Sequence, residues 1–354
     1  MPKLEEILRN IEPTAPSWKA EARKRLDALA IPKGSLGHIT ELAEKLVSIT
    51  ENMTPQFSHK EIFVMAGDHG IAEEGISLFP REVTVEMIGN FIKGGAGINA
   101  FAQNAGAVVN IVDIGVNADL EEIYGRDHIL PRKIAYGTEN ISKKPAMTRN
   151  QAIRSLEIGI ELAMDAKARG AELIATGDMG IGNTTPCTAI FAVLSGKSPK
   201  EITGCGTGLN KEAVCRKAEL IQKSIDLHCP NPHDPIDILA KVGGFEIGGI
   251  AGLILGAANC HIPVLVDGFI STTGALLAYA LAPSSRGYMI AAHRSEEKAH
   301  RAMLEHLKLS PLLSLGLRLG EGTGAALAMP LIDAAAAMLQ QMLTFEEANV
   351  HSGQ

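Results

Sequence analysis

Two glycine-rich runs, each holding one carboxylate, carry the residue types best suited to chemistry. They are Thr176-Gly177-Asp178-Met179-Gly180-Ile181-Gly182-Asn183-Thr184-Thr185 and Leu319-Gly320-Glu321-Gly322-Thr323-Gly324. Glycine lets backbone approach a ligand closely and leaves its N–H groups unhindered as donors. A carboxylate between glycines has no bulky neighbours to hold it away from that ligand. The pairing suggests a phosphorylated substrate held by backbone and a proton taken by Asp178 or Glu321. The alternative for Glu321 is a first-turn helix residue favoured by the helix dipole.

The first run ends at Pro186, with Thr185 as an expected N-cap before it. A helix starting there aims free N–H groups and its positive end at an anion, and Asn183, Thr184 and Thr185 add donors that a bare glycine turn does not need. A second glycine loop, Gly204-Cys205-Gly206-Thr207-Gly208, leads into a helical pattern carrying Lys217. That lysine either supplies a point charge to a monophosphate or is a solvated helix residue. No Gly-Lys-[Ser/Thr] follows the glycines, which argues against nucleoside-triphosphate chemistry, and the G-x-G-x-x-G dinucleotide fingerprint is missing. Between Gly75 and Ile88, the side chains of Leu78, Phe79, Met87 and Ile88 can wall an apolar slot, with Ser77 and Glu86 as polar contacts.

These groups need a scaffold, and 354 residues suffice for a large one. Apolar residues make up 46%, aromatics only 4%, and 36 positions are glycine, a mix that suits an α/β enzyme with many tight turns. Few aromatics and a net charge of −7 argue against nucleic-acid binding. No apolar run is long and clean enough to predict a membrane span, and the opening residues show no secretory leader. Five cysteines without a C-x-x-C pair read as reduced thiols in a cytoplasmic protein.

Residues 1–58 carry helical spacing. From residue 61 the period changes, and short apolar runs at 62–66, 108–112, 173–175, 264–266 and 288–292 read as strands covered on both faces. Helical patterns such as Gln151 to Ala168 and Glu212 to Leu227 alternate with them, which predicts a mostly parallel sheet. Polar residues follow the runs: Asp68 and His69, Asp113, Asp178, Asp267, and His293 with Ser295. In a parallel sheet the strands' carboxyl ends share one rim, where ligands bind. Any one of these residues is also explained as a helix cap or turn residue. A metal-dependent hydrolase using Asp68, His69, Asp267 and His293 is a rival reading without a close-spaced motif, and a non-catalytic nucleotide-binding regulator is another.

Five runs in order carry a resemblance: 66–70 (Ala-Gly-Asp-His-Gly), 177–185, 243–247 (Gly-Gly-Phe-Glu-Ile), 267–270 (Asp-Gly-Phe-Ile) and 319–324. With Gly34-Ser35-Leu36-Gly37, they make the chain similar, over nearly its whole length, to the nicotinate mononucleotide:dimethylbenzimidazole phosphoribosyltransferases, which activate the lower ligand of cobalamin. The resemblance implies a Rossmann-like large domain over residues 60–300. It also implies a small helical domain from 1–59 and 301–354, a homodimer, and neither metal nor redox cofactor. By matching position, it makes Glu321 the general base and puts Gly180, Gly182, Asn183, Thr184 and Lys217 around the phosphoribosyl group, with Ser295 a further phosphate candidate. Asp178 would lie near the ribose, with Asp267 on the same rim. Ser77, Glu86, Met87, Leu319 and Gly320 would line the aromatic base's pocket. The family usually has Glu at position 178 and Gln at position 86; Glu86 would bring a negative charge to that pocket and favour a base with an additional hydrogen-bond donor.

Overall fold

The computed structural model describes residues 4–124 and 129–351. Met1, Pro2 and Lys3, part of the stretch in which no leader was read, lie outside the described residues. Six parallel strands form one sheet: β1 Lys60–Gly67, β2 Ala107–Gly115, β3 Ile129–Pro131, β4 Leu173–Met179, β5 Val264–Val266 and β6 Met289–Ala291, in the order β3-β2-β1-β4-β5-β6. This is the doubly wound, Rossmann-like order, whose direction reverses between β1 and β4. Five strands fall on the apolar runs of the sequence. The edge strand β3 was not foreseen, because three residues carry too little pattern to show a period.

Alternation along β1 explains the layering. Phe63 and Met65 enter a core with Val112, Ile174 and Val264, while Ile62 and Val64 enter a second with Ile111, Leu173 and Leu265. Helices Arg149–Ala168, Phe245–Asn259 and Phe269–Leu281 cover the first face. Helices Pro16–Asp27, His38–Thr50 and Thr323–Gln341 cover the second. The inner strands are therefore apolar on both sides, which is why their sequences read as largely apolar runs.

The chain ends meet on the second face. Leu29 bridges Thr344, and Arg25 donates to the Glu347 carboxylate at 3.0 Å. The first helix, Leu4–Asn10, contributes Leu4 and Ile7 to the other core. Thr323–Gln341 alone among the described helices is long and apolar enough to cross a membrane. Here its Ala325, Met329 and Ile332 are buried against the sheet.

Helices Arg149–Ala168 and Phe245–Asn259 cross almost backbone to backbone. A Cβ on Gly252 would stand 1.9 Å from the Leu156 carbonyl oxygen, and one on Gly159 would stand 2.0 Å from that of Gly249. Backbone cannot yield as a flexible side chain does. Gly252→Val is therefore expected to lower stability by about 1–3 kcal/mol or more, read as a shift in the urea midpoint; an unchanged midpoint would show that the helices can separate freely.

Candidate active site

A cavity of about 700 Å³ opens at the carboxyl ends of β4, β5 and β6. Its wall includes Asp178, Gly180, Asn183 and Thr184 on one side and Leu319, Gly320 and Glu321 on the other. Both carboxylate-bearing glycine runs thus face one space.

Close approach makes this possible. A Cβ on Gly177 would lie 2.6 Å from the Glu321 carbonyl oxygen, so only glycine lets β4 pass beneath the 320–322 turn. The Glu321 N–H donates to the Asp178 carbonyl at 3.2 Å. Glu321 itself sits at φ 62°, a left-handed conformation that costs a side-chain-bearing residue about 1–2 kcal/mol. Such strain persists where surrounding structure over-determines it, and here Asp267 does so. Its carboxylate accepts the Gly322 N–H at 3.2 Å and the Ala325 N–H at 2.9 Å, capping helix Thr323–Gln341 from the end of β5.

Glu321 is buried at 5% exposure. Its Oε2 accepts the Ile98 N–H at 3.2 Å, at the start of helix Gly97–Ala105. Burial pushes the carboxyl's pKa up, the Ile98 N–H pulls against that, and the Asp267 charge adds to the rise. The result is a better proton acceptor than a solvated glutamate, held at a defined point.

Asp178 is pushed up further, first by burial, then by the charges of Asp267 and Glu246, with Glu321 adding to them. The Asn183 side-chain amide donates to its Oδ2 at 3.1 Å, whereas its Oδ1 has no partner. Glu246 is buried and paired with His69 at 2.8 Å. Buried carboxylates therefore cluster at and behind this side of the cavity.

On the far side, Lys217 is buried and its Nζ donates to Thr184 Oγ1 at 2.5 Å. Burial lowers its pKa to about 8, against the opposing pull of Glu297. Glu297 and Ser295 also line the cavity, and the Arg318 guanidinium donates to the Gly206 carbonyl beside them at 3.3 Å. Thr184 thus joins the buried ammonium to the cavity wall.

Several expectations need correction. Helix Thr184–Ser195 starts earlier than expected, with Asn183 as N-cap, so Thr185 lies inside it with its hydroxyl buried and unpartnered. Asp267 is not in the wall; its carboxylate is taken up by backbone N–H groups behind the Glu321 turn. Gly182 also lies outside the wall and packs toward Ala72 and Ile76. Glu86 is exposed and outside the wall. Val83 and Met87, one turn apart, face the cavity, and position 86 points about 100° round the helix. Ser77 is one step removed: its hydroxyl lies 3.4 Å from that of Thr207, which does line the cavity.

Wall residues that sequence reasoning did not assign to the site include Thr207, Phe269, Ile270, Glu297, Leu317 and Arg318. Phe269 and Ile270 were visible within the 267–270 run, and Arg318 directly precedes the glutamate turn. Glu297 left no signal, because only folding brings it to Lys217.

The metal-ligand reading fails on the partners of its residues. His69 is paired with Glu246, Asp68 accepts the Asn117 N–H at 2.8 Å, and Asp267 is committed to backbone. His300 Nδ1 accepts the Ser295 N–H at 2.8 Å. Among the described residues, no three His, Cys, Asp or Glu side chains converge as a ligand set.

Asp178 supplies a test of this charge balance. Its folded pKa is raised above the ordinary aspartate value, so the folded state binds more protons and stability falls as pH climbs from there through the raised value. Asp178→Asn is therefore expected to raise the thermal midpoint of the ligand-free protein at neutral pH and to flatten that pH dependence. A midpoint at or below the parent's would mean that the charge is compensated.

Comparison with known proteins agrees with this geometry. A phosphoribosyltransferase family model matches residues 11–350. The chain is 51% identical over 352 residues to the nicotinate-nucleotide–dimethylbenzimidazole phosphoribosyltransferase of a Geobacter species, covering 99% of this chain and 100% of the relative. It is 48% identical over 351 residues to the Syntrophobacter fumaroxidans protein of the same name, covering 99% of each. A crystal structure of the Thermus thermophilus protein of that name superposes with a TM-score of 0.90 at 42% identity, covering 96% of this chain and 100% of that one.

Proposed function

The chain belongs to the nicotinate-nucleotide–dimethylbenzimidazole phosphoribosyltransferase family, and from that premise we infer that it transfers the phosphoribosyl group of nicotinate mononucleotide to 5,6-dimethylbenzimidazole or a related base. The products are α-ribazole 5'-phosphate and nicotinate, and the step belongs to nucleotide-loop assembly of cobalamin. The observation that carries this reading is one cavity holding a buried glutamate opposite Gly180, Asn183 and Thr184, with the Lys217 ammonium bonded to Thr184 behind the wall.

In the reaction the bond from the anomeric carbon to the nicotinate nitrogen breaks, and its electron pair returns to a pyridinium that leaves without acid help. The unprotonated ring nitrogen of the benzimidazole forms the new bond from the opposite face, which inverts the centre. Its other nitrogen then becomes acidic, and Glu321 takes that proton. A positioned base of this kind contributes about 10²–10⁴-fold. Positive charge develops on the ribose in the transition state, and Asp178 in the cavity wall is placed to stabilise it electrostatically.

Phosphate recognition is assigned to the Gly180–Thr184 turn, Lys217 and Ser295. A bound phosphate offsets the burial that depresses the lysine's pKa. The apolar wall of Phe79, Val83, Met87 and Leu319 suits a flat heteroaromatic base. With Glu86 turned away, its charge is not assigned to base recognition.

The proposal extends to organisation. Residues 60–300 act as the substrate-binding body, and 1–59 with 301–354 as the unit presenting the glutamate turn. The exposed Leu78, Phe79, Leu315 and Leu319 near the cleft support a homodimer that covers this rim. Five free cysteines fit a reducing cytoplasm.

Incubation with nicotinate mononucleotide and a panel of benzimidazoles, purines and phenols, scored for ribosides, tests the activity. Absence of any riboside would overturn it. Within it, Glu321→Gln is expected to lower kcat by about 10²–10⁴-fold while nucleotide affinity holds. Lys217→Ala is expected to act mainly on KM for the nucleotide. Steady-state kinetics checks both, and a kcat unmoved by Glu321→Gln would remove the base assignment.

A further inference from the structure

A second cavity, of about 550 Å³, shares no wall residue with the catalytic one. It lies between helices Pro16–Asp27 and His38–Thr50, the turn before β6, β6 itself and residues 308–312. Its wall is cationic: Lys19, Arg23, Lys45, Arg286 and Lys308 contribute, against the carboxylates Glu41 and Glu44. Glu44 is paired with Arg23. Among the described residues, none of the other four cations is in an ion pair.

Lys45 is the informative member. It is half-buried between its helix and β6, and its ammonium donates to the Met289 carbonyl, which satisfies a hydrogen bond without neutralising a charge. Burial, followed by the like charges of Arg286 and Lys19, lowers its pKa to about 8. Gathering like charges in a concave, partly dry space is unfavourable unless an anion offsets them. The hydroxyls of Thr14 and Ser310 add donors, while Leu42, Ile290, Leu309 and Leu312 supply an apolar side suited to a small organic group.

We propose that this cavity is a second, non-catalytic anion site that takes the phosphate group of a small phosphorylated metabolite. Concavity favours a small molecule that enters it over an extended polyanion, which would track a surface stripe. Guanidinium and ammonium groups from four separate segments line one cavity, an arrangement suited to a compact dianion.

Equilibrium dialysis of the full-length protein with labelled inorganic phosphate tests the site, with unlabelled glycerol 3-phosphate as competitor. Lys217→Ala protein, altered only at the other cavity, is expected to keep a saturable phosphate site. Lys19→Glu/Lys308→Glu, at two exposed positions outside any ion pair among the described residues, is expected to weaken it about tenfold or more, as is Arg286→Gln. All three of these wall positions lie outside the catalytic machinery, so kcat at saturating substrates stays at the parent value. Displacement by glycerol 3-phosphate assigns the site to an ester, and displacement by phosphate alone assigns it to the free ion. No saturable binding in Lys217→Ala protein, or binding indifferent to both wall variants, would overturn the proposal.

Discussion

The Asp267 carboxylate, accepting the N–H groups of Gly322 and Ala325, is the contact on which the catalytic arrangement depends. It anchors the positive end of a long helix to the tip of a central strand. The turn just before that helix must then close in a cramped left-handed conformation at Glu321. A glutamate on an untied loop would explore many rotamers and lose the geometric advantage of a positioned base. Asp267 acts through this tether, without reaching the cavity.

The tether adds to an electrostatic imbalance. Asp178, Glu246, Asp267 and Glu321 are all buried near one another, and the pKa of Asp178 is raised by the other three as well as by burial. Such carboxylates destabilise the empty protein and favour a ligand that carries or develops positive charge. A nucleotide bound with its pyridinium ring, whose charge passes toward the ribose in the transition state, is a ligand of that kind. The cationic counterpart, Lys217, stands apart at the glycine turn, where phosphate recognition is proposed. On that assignment, separated charges of opposite sign would orient a nucleotide along the cleft.

The sheet makes both arrangements possible because its two faces are closed by different parts of the chain. Helices from the middle of the sequence cover one face, and helices from both ends cover most of the other. The glutamate turn enters the cleft from the end-built layer, while the Gly180–Thr184 turn belongs to β4 and the helix after it. Residues about 140 positions apart thus face one another across a single space, by the crevice rule for doubly wound sheets.

Much of this was legible before folding is considered. Unbroken apolar runs marked five of six strands, since a strand covered on both faces needs no polar side. The paired glycine runs marked the cleft, since close backbone approach leaves glycine as the only residue that fits. Side-chain direction was not legible: Glu86 and Met87 are neighbours in sequence, yet helix rotation sends one to solvent and the other to the cavity. Asp267 reads as a rim carboxylate until its partners are known. The placing of Glu297 within electrostatic reach of Lys217, and of the cations around Lys45, left no local pattern at all. Sequence determined which segments become strands, helices and tight turns, because those choices rest on local periodicity and backbone sterics. Tertiary structure alone decided which carboxylate faces substrate and which caps a helix, because that depends on N–H donors supplied by residues remote in the chain.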